Sequence, residues 1–155
     1  MKSITFTVPG KPQGKARPRV VRQGGVTRSF TPEKTVLYEN WIRTCYQQAA
    51  GEYRFPDDAP LELVITAAFP VPKSFSRRKR EGCLSGFIRP TGKPDCDNIA
   101  KSVADALNGV AYRDDSRVCK LTVVKKYGEA EGLKVVVREI PWSFEQEGEA
   151  DVHDG

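Results

Sequence analysis

The densest run of chemically capable side chains is KPDCDNIAKSVADALNGVAYRDD, residues 93 to 115. Asp95 and Asp97 stand two apart after Pro94, and on an extended segment their carboxylates point to the same side. With a helix beginning at Asp97 or Asn98, Lys101 lies one turn further on and faces the same way as Asp97. Asp114 and Asp115 follow that helix in a short turn leading to the next strand, which returns them to the helix's neighbourhood. Carboxylates gathered in this way repel one another, and their pKa values rise unless a cation neutralises them. Oxygen ligands with open positions suit magnesium, with manganese as a substitute. Such an ion polarises a scissile phosphate and activates the attacking water. A neighbouring lysine then stabilises the pentavalent charge or protonates the leaving oxygen. The chemistry implied is phosphodiester hydrolysis.

Each part of this constellation has an ordinary structural reading when taken alone. Asp97 reads as a helix N-cap, Asp97 with Lys101 as an exposed ion pair, Asp114-Asp115 as a turn, and Asp105 as a solvated helix residue or a second partner for Lys101. Other chemistries lack their residues. The one histidine, His153, sits in an acidic tail, and Cys45, Cys83, Cys96 and Cys119 contain no CxxC pair, so structural zinc and histidine-dependent nucleophilic mechanisms have no ligands or base. Without a secretion signal the four thiols are expected reduced and mostly buried rather than bridged.

The elements that must position these residues are legible from periodicity and turn chemistry. Ile4, Phe6 and Val8 alternate in a strand over residues 2 to 8, ended by Pro9-Gly10. Residues 11 to 30 carry Lys11, Lys15, Arg17, Arg19, Arg22 and Arg28 without one acid, with Gly24-Gly25 as a turn, and read as a basic arm or hairpin. Thr31-Pro32-Glu33 starts a helix, with Thr31 as its cap and an apolar stripe of Val36, Leu37, Ile42, Cys45, Tyr46 and Ala49, stopping at Gly51. Residues 61 to 69, LELVITAAF, form a second strand between two prolines. From Val71 to Pro94 no periodicity appears, and Lys73, Arg77, Arg78, Lys79, Arg80, Arg89 and Lys93 face the single acid Glu81, which makes a long basic connection. Asn98 to Asn108 is a helix with Ile99, Val103, Ala106 and Leu107 on one face. Strands at 118 to 127 and 133 to 140 are joined by GEAEG in an expected hairpin.

In this order the motifs resemble the RusA family of Holliday junction resolvases, in its phage and prophage branch. The likeness rests on KPDCDN, Lys101, DALNG and RDD before a strand, preceded by GKPQGKARPRV, TPEKTVLYE, FPVPKSFSRRKR and IRPTGKP, and covers residues 4 to 140. The resemblance implies a homodimeric, magnesium-dependent endodeoxyribonuclease that resolves four-way junction DNA by paired symmetric incisions in recombination and repair. It implies Asp95, Asp97, Lys101 and Asp115 as catalytic residues, the three aspartates as metal ligands, and Asp114 as a supporting acid. Cys96 stands where a larger apolar residue is usual, and Arg117 where glutamine commonly precedes the strand. Elements and resemblance together predict an α+β fold, a single compact domain over residues 1 to 141 with a mixed sheet of about four strands packed with two helices. Residues 142 to 155 are expected to form a disordered acidic tail.

Charge sharpens this expectation. Lys and Arg number 25 and Asp and Glu 20, a net +5, but Glu145, Glu147, Glu149, Asp151 and Asp154 all lie in the tail. The remaining body has 25 bases and 15 acids and stands at +10, which favours a polyanionic partner. Lys15, Arg17, Arg19 and Arg22 in the arm, and Arg77, Arg78, Lys79 and Arg80 in the connection, are the expected DNA contacts. No apolar run nears the roughly 20 residues of a membrane span, so a cytoplasmic, nucleoid-associated protein without membrane or small-molecule cofactor is expected. Two other classes remain open from the residues: a non-catalytic branched-DNA-binding module, and a different magnesium enzyme such as a flap or fork nuclease or a nucleotidyl transferase.

Overall fold

The chain runs β1 (Ser3–Pro9), β2 (Arg19–Gln23), β3 (Val26–Phe30), α1 (Glu33–Ala50), β4 (Leu61–Phe69), α2 (Arg77–Leu84), α3 (Cys96–Leu107), a 3-10 turn (Asp115–Arg117), β5 (Val118–Tyr127) and β6 (Gly132–Glu139). These elements come from a computed structural model that describes residues 1–16, 18–30 and 32–141. Arg17, the expected cap Thr31, and the tail with His153 lie outside the described residues. The α+β class stands, with a four-stranded mixed sheet of order β1-β6-β4-β5 and a separate β2-β3 ribbon.

β4 lies inside the sheet because LELVITAAF offers apolar side chains along its whole length. Leu61, Leu63, Ile65 and Ala67 are fully buried beneath the helices. On the alternate positions Glu62 is held between its register partners on the flanking strands, Arg138 at 2.5 Å and Lys120 at 3.4 Å. Its neighbours are β5, parallel, and β6, antiparallel. The hairpin expected of β5 and β6 is therefore corrected: β4 separates them, and the connecting residues 128–131 bridge its end, where the Gly128 amide donates to the Phe69 carbonyl at 3.0 Å. β4 takes both strands as ladder partners along most of its length, so their backbone hydrogen bonds go to it and not to each other.

α1 ends at Gly51 as expected, but the face it buries is Thr35, Tyr38, Glu39, Ile42, Cys45 and Tyr46. Val36, Leu37 and Ala49, expected on the apolar stripe, are exposed. Thr35, Tyr38, Glu39, Ile42, Cys45 and Tyr46 follow the three- and four-residue spacing of one helix face, which leaves Val36 and Leu37 on the other side. α3 buries Ile99, Val103, Ala106 and Leu107 as its periodicity predicts, but starts two residues early, at Cys96. β2 and β3 form the expected hairpin, with Gly24 and Gly25 at φ of 60° and 78° in the two positions that require positive φ.

The long basic connection contains a helix that periodicity does not reveal. α2 is almost wholly polar and buries only Cys83, so no apolar stripe marks it. Its start is fixed by Ser76, whose hydroxyl accepts from the Lys79 amide at 3.2 Å. All four cysteines are free, but only Cys45 and Cys83 are buried, so the expectation of mostly buried thiols fails for Cys96 and Cys119. Among the described residues no helix is long and apolar enough to cross a membrane.

Candidate active site on helix α3

The acidic motif is built at the start of α3. Asp95 is the N-cap in extended conformation, and its carbonyl accepts from the Ile99 amide at 3.0 Å, closing the first helical turn. Its carboxylate makes no capping hydrogen bond and stands exposed. This corrects two expectations: Asp95 and Asp97 do not share an extended segment, and Asp97 is a first-turn residue instead of the cap. A carboxylate in that turn sits favourably at the positive end of the helix dipole. Asp97, Lys101 and Asp105 follow at four-residue spacing, so all three lie on one face, with Asp97 and Lys101 exposed.

The turn after α3 brings the second acid pair back to this face. Ala111 and Tyr112 are fully buried, and the Tyr112 hydroxyl donates to the Ala104 carbonyl at 2.7 Å, stapling the turn to the helix. Burial first, then the charges of Asp115, Asp105 and Asp114, push that phenol well above its usual range. The backbone is tied down from the other side by the Phe55 amide on the Ala111 carbonyl at 2.8 Å and by Arg117, whose Nε donates to the Asp57 carbonyl at 2.5 Å. Arg117, a departure from the family pattern, is thus an anchor for the turn. Tyr112 is a positioning residue that the sequence reading missed; its only signal was an aromatic inside an otherwise turn-like stretch.

Asp114 and Asp115 are electrostatically distinct although adjacent. Asp114 caps the 3-10 turn by accepting from the Ser116 amide at 3.0 Å, and this hydrogen bonding, helped by Arg117, lowers its pKa. Asp115 is half-buried, and its pKa is raised, by burial first and then by Asp114 and Asp105, with Lys101 acting in the opposite sense. The Tyr112 staple to Ala104 sets the turn that carries Asp115 beside the part of α3 where Lys101 and Asp105 lie. Among the described residues no group of three or more His, Cys, Asp or Glu side chains is arranged to hold a metal ion. Carboxylate oxygen is the donor chemistry that suits a hard divalent cation, and a half-buried carboxylate such as Asp115, pressed by Asp114 and Asp105, is a setting that such an ion relieves.

The start of the basic arm is clamped to this same helix. The Lys15 amide donates to the Asn98 carbonyl at 3.0 Å, and a Cβ at Gly14 would stand 2.9 Å from the Cβ atoms of both Asn98 and Pro94. The Lys15 ammonium pairs with Glu39 of α1 and lies 3.4 Å from Asp105 of α3. Burial works against its charge, but Glu39 and Asp105 outweigh that cost and raise its pKa. Arg43 completes the link, with Nε donating to the Ala106 carbonyl at 2.7 Å. Lys15 was expected on the DNA path, and Asp105 in solvent or against Lys101; the structure instead joins them to each other. The sequence signal for this was an acid, Glu39, on the inner face of α1.

The remaining cations lie outside. Arg22 is exposed on β2, and Arg78, Lys79 and Arg80 are exposed on α2, where Arg77 pairs with Glu81 at 3.6 Å and the Lys79 ammonium lies 3.9 Å from the Phe75 ring centroid. Arg17 lies outside the described residues, as does the side chain of Arg19. The segment after α2 is held against β5 by the Lys125 ammonium on the Gly92 carbonyl at 2.5 Å and by Arg89 on the Lys125 carbonyl at 3.4 Å. That segment leads directly into Asp95.

The chain is similar to a Bacillus subtilis (strain 168) protein named "Uncharacterized protein YqaN", 34% identical over 140 residues that make up 90% of this chain and 99% of that protein. The family described as "Endodeoxyribonuclease RusA" matches residues 9–138, a span that takes in the clamp at Gly14, the hairpin, α2, α3 and the Asp114-Asp115 turn. The chain belongs to the RusA family of endodeoxyribonucleases.

Proposed function

We propose that this chain is a magnesium-dependent, structure-specific endodeoxyribonuclease that resolves four-way junctions by paired symmetric incisions, acting as a homodimer in recombination and repair. The observation that carries the reading is the exposed face of α3. Acids and one lysine share that face with a half-buried aspartate, Asp115, brought in by an independently anchored turn, while the β2-β3 ribbon and α2 present cations.

Asp95, Asp97 and Asp115 are the residues that would hold magnesium, with Asp114 supporting them; one or two protein carboxylates suffice, since this ion keeps waters and takes substrate phosphate. The chemistry a bound magnesium supplies is polarisation of the scissile phosphate and activation of the attacking water. Lys101 offers its ammonium to the developing phosphorane charge or to the leaving oxygen. Tyr112 fixes where Asp115 stands, and Lys15 fixes α3 against α1. Arg22, Arg78, Lys79 and Arg80 neutralise flanking phosphates and hold the arms of the junction. A two-fold dimer presents two such sites to the two symmetric strands, one cut per protomer.

The test is a panel of end-labelled junction, fork, flap and duplex DNAs, run with magnesium and with chelator. Symmetric nicks near the crossover, abolished by chelator, are expected. Cuts confined to flaps or forks point to another nuclease, and mobility shifts without cuts point to a binding module.

A further inference from the structure

Phe87 is 91% exposed, the most exposed large hydrophobic side chain among the described residues. Its display is built by the backbone. α2 closes with the Ser85 amide on the Glu81 carbonyl at 2.9 Å, Gly86 takes φ of 89°, and the Ile88 amide returns to the Gly82 carbonyl at 3.0 Å. Gly82 makes room for that return: a Cβ there would meet the Ile88 side chain at 2.9 Å. The chain therefore folds back on the helix through Ile88 and leaves Phe87 outward at the apex of an ordered turn. Beside the ring lies a groove lined by Arg78, Lys79, Gly82 and Ile88. Across 71–94 seven bases face one acid, so the polymer this surface suits is polyanionic.

An aromatic ring held outward among cations offers stacking that phosphate contacts do not. Paired duplex DNA keeps its bases stacked on one another, whereas a branch point exposes base faces. We propose that Phe87 is the residue with which this chain stacks on an unpaired or unstacked base at the branch of its DNA, so that it contributes selectivity for branched over duplex substrates. The inference rests on the junction-resolving reading above and adds to it a recognition element outside the acidic face of α3.

The experiment compares wild type, Phe87→Ala and Phe87→Trp for affinity to a synthetic four-way junction carrying 2-aminopurine at the crossover, and to a duplex of the same sequence. Stacking on aromatic side chains has a size that predicts a loss of about fivefold to about 100-fold in junction affinity for Phe87→Ala. Duplex affinity and the salt slope should be unchanged, the 2-aminopurine response should be lost, and Phe87→Trp should restore both junction affinity and response. Equal junction affinity and response in wild type and Phe87→Ala overturn the inference. So does a change of oligomeric state in Phe87→Ala by sedimentation, which assigns the ring to a contact between copies of the chain. If wild type itself shows no preference for the junction, the functional reading fails first, a result distinguishable from failure of Phe87 alone.

Discussion

At the scale of single residues, the groups proposed to act on the phosphate are distinct from the groups that place them. Asp95→Asn and Asp115→Asn should each reduce magnesium-dependent junction cleavage by at least about 100-fold while junction binding, measured by mobility shift, stays equal or tightens as repulsion near the phosphate falls. Lys101→Ala should be as inactive and still bind. Asp114 is occupied in capping the 3-10 turn through the Ser116 amide, a role asparagine also fills, so Asp114→Asn should cost less than about tenfold in the same assay. Tyr112→Phe removes the hydrogen bond to the Ala104 carbonyl and should lower unfolding free energy by about 1 kcal/mol in urea titration. Wild-type cleavage by Asp115→Asn removes that residue from the site.

At the scale of elements, the site depends on how α3 is held. Gly14→Ala pushes a methyl against Pro94 and Asn98 and should destabilise by about 1–3 kcal/mol. Lys15→Ala leaves Glu39 and Asp105 without the cation between them and should cost about 1–3 kcal/mol, read as a fall in denaturant midpoint. In the sheet, Arg138 first, and then Lys120, hold the Glu62 carboxyl below its ordinary value of 4.5. The unfolded chain therefore takes up this proton first as pH falls, so the contribution of Glu62 is fully present above that value and is lost as pH drops through the folded pKa. Glu62→Gln should flatten the acid limb of the stability curve, and an unchanged limb would remove Glu62 from that role.

β1, β4, β6 and α3 were legible in the sequence because each carries an apolar period that the core uses, whereas α1 and the ribbon were marked by their end and turn signals, Gly51 and Gly24-Gly25. α2 was not, because a helix burying one cysteine has no stripe to read. The separation of β5 from β6 was hidden because local turn chemistry cannot reveal that β4 competes for both partners. Within the site, the spacing of Asp97 and Lys101 carried over to the helix face unchanged. The inward turn of Lys15 had one faint signal, the acid Glu39 on the inner face of α1, and its partner stands 24 residues away, beyond the reach of local pattern.

At the scale of the molecule, net charge is a sum of opposed regions: basic ribbon and α2, an acidic α3 face, and an acidic tail. If exposed cations neutralise phosphates, log affinity should fall linearly with log salt, and replacing Arg22, Arg78 or Arg80 by glutamine should each shallow the slope by about 0.9. Deleting 143–155 removes five acids and should tighten DNA binding at low salt; unchanged affinity would leave the tail without electrostatic influence on the DNA surface. The central claim, that the acids at the start of α3 and in the turn after it drive coupled incision of a four-way junction, is tested most directly on a supercoiled plasmid extruding a cruciform, incubated with magnesium. Wild type should convert it to linear product through two cuts in one binding event, and Asp115→Asn should bind the plasmid and leave it intact. Accumulation of nicked circle alone, or linear product from Asp115→Asn, would contradict the account.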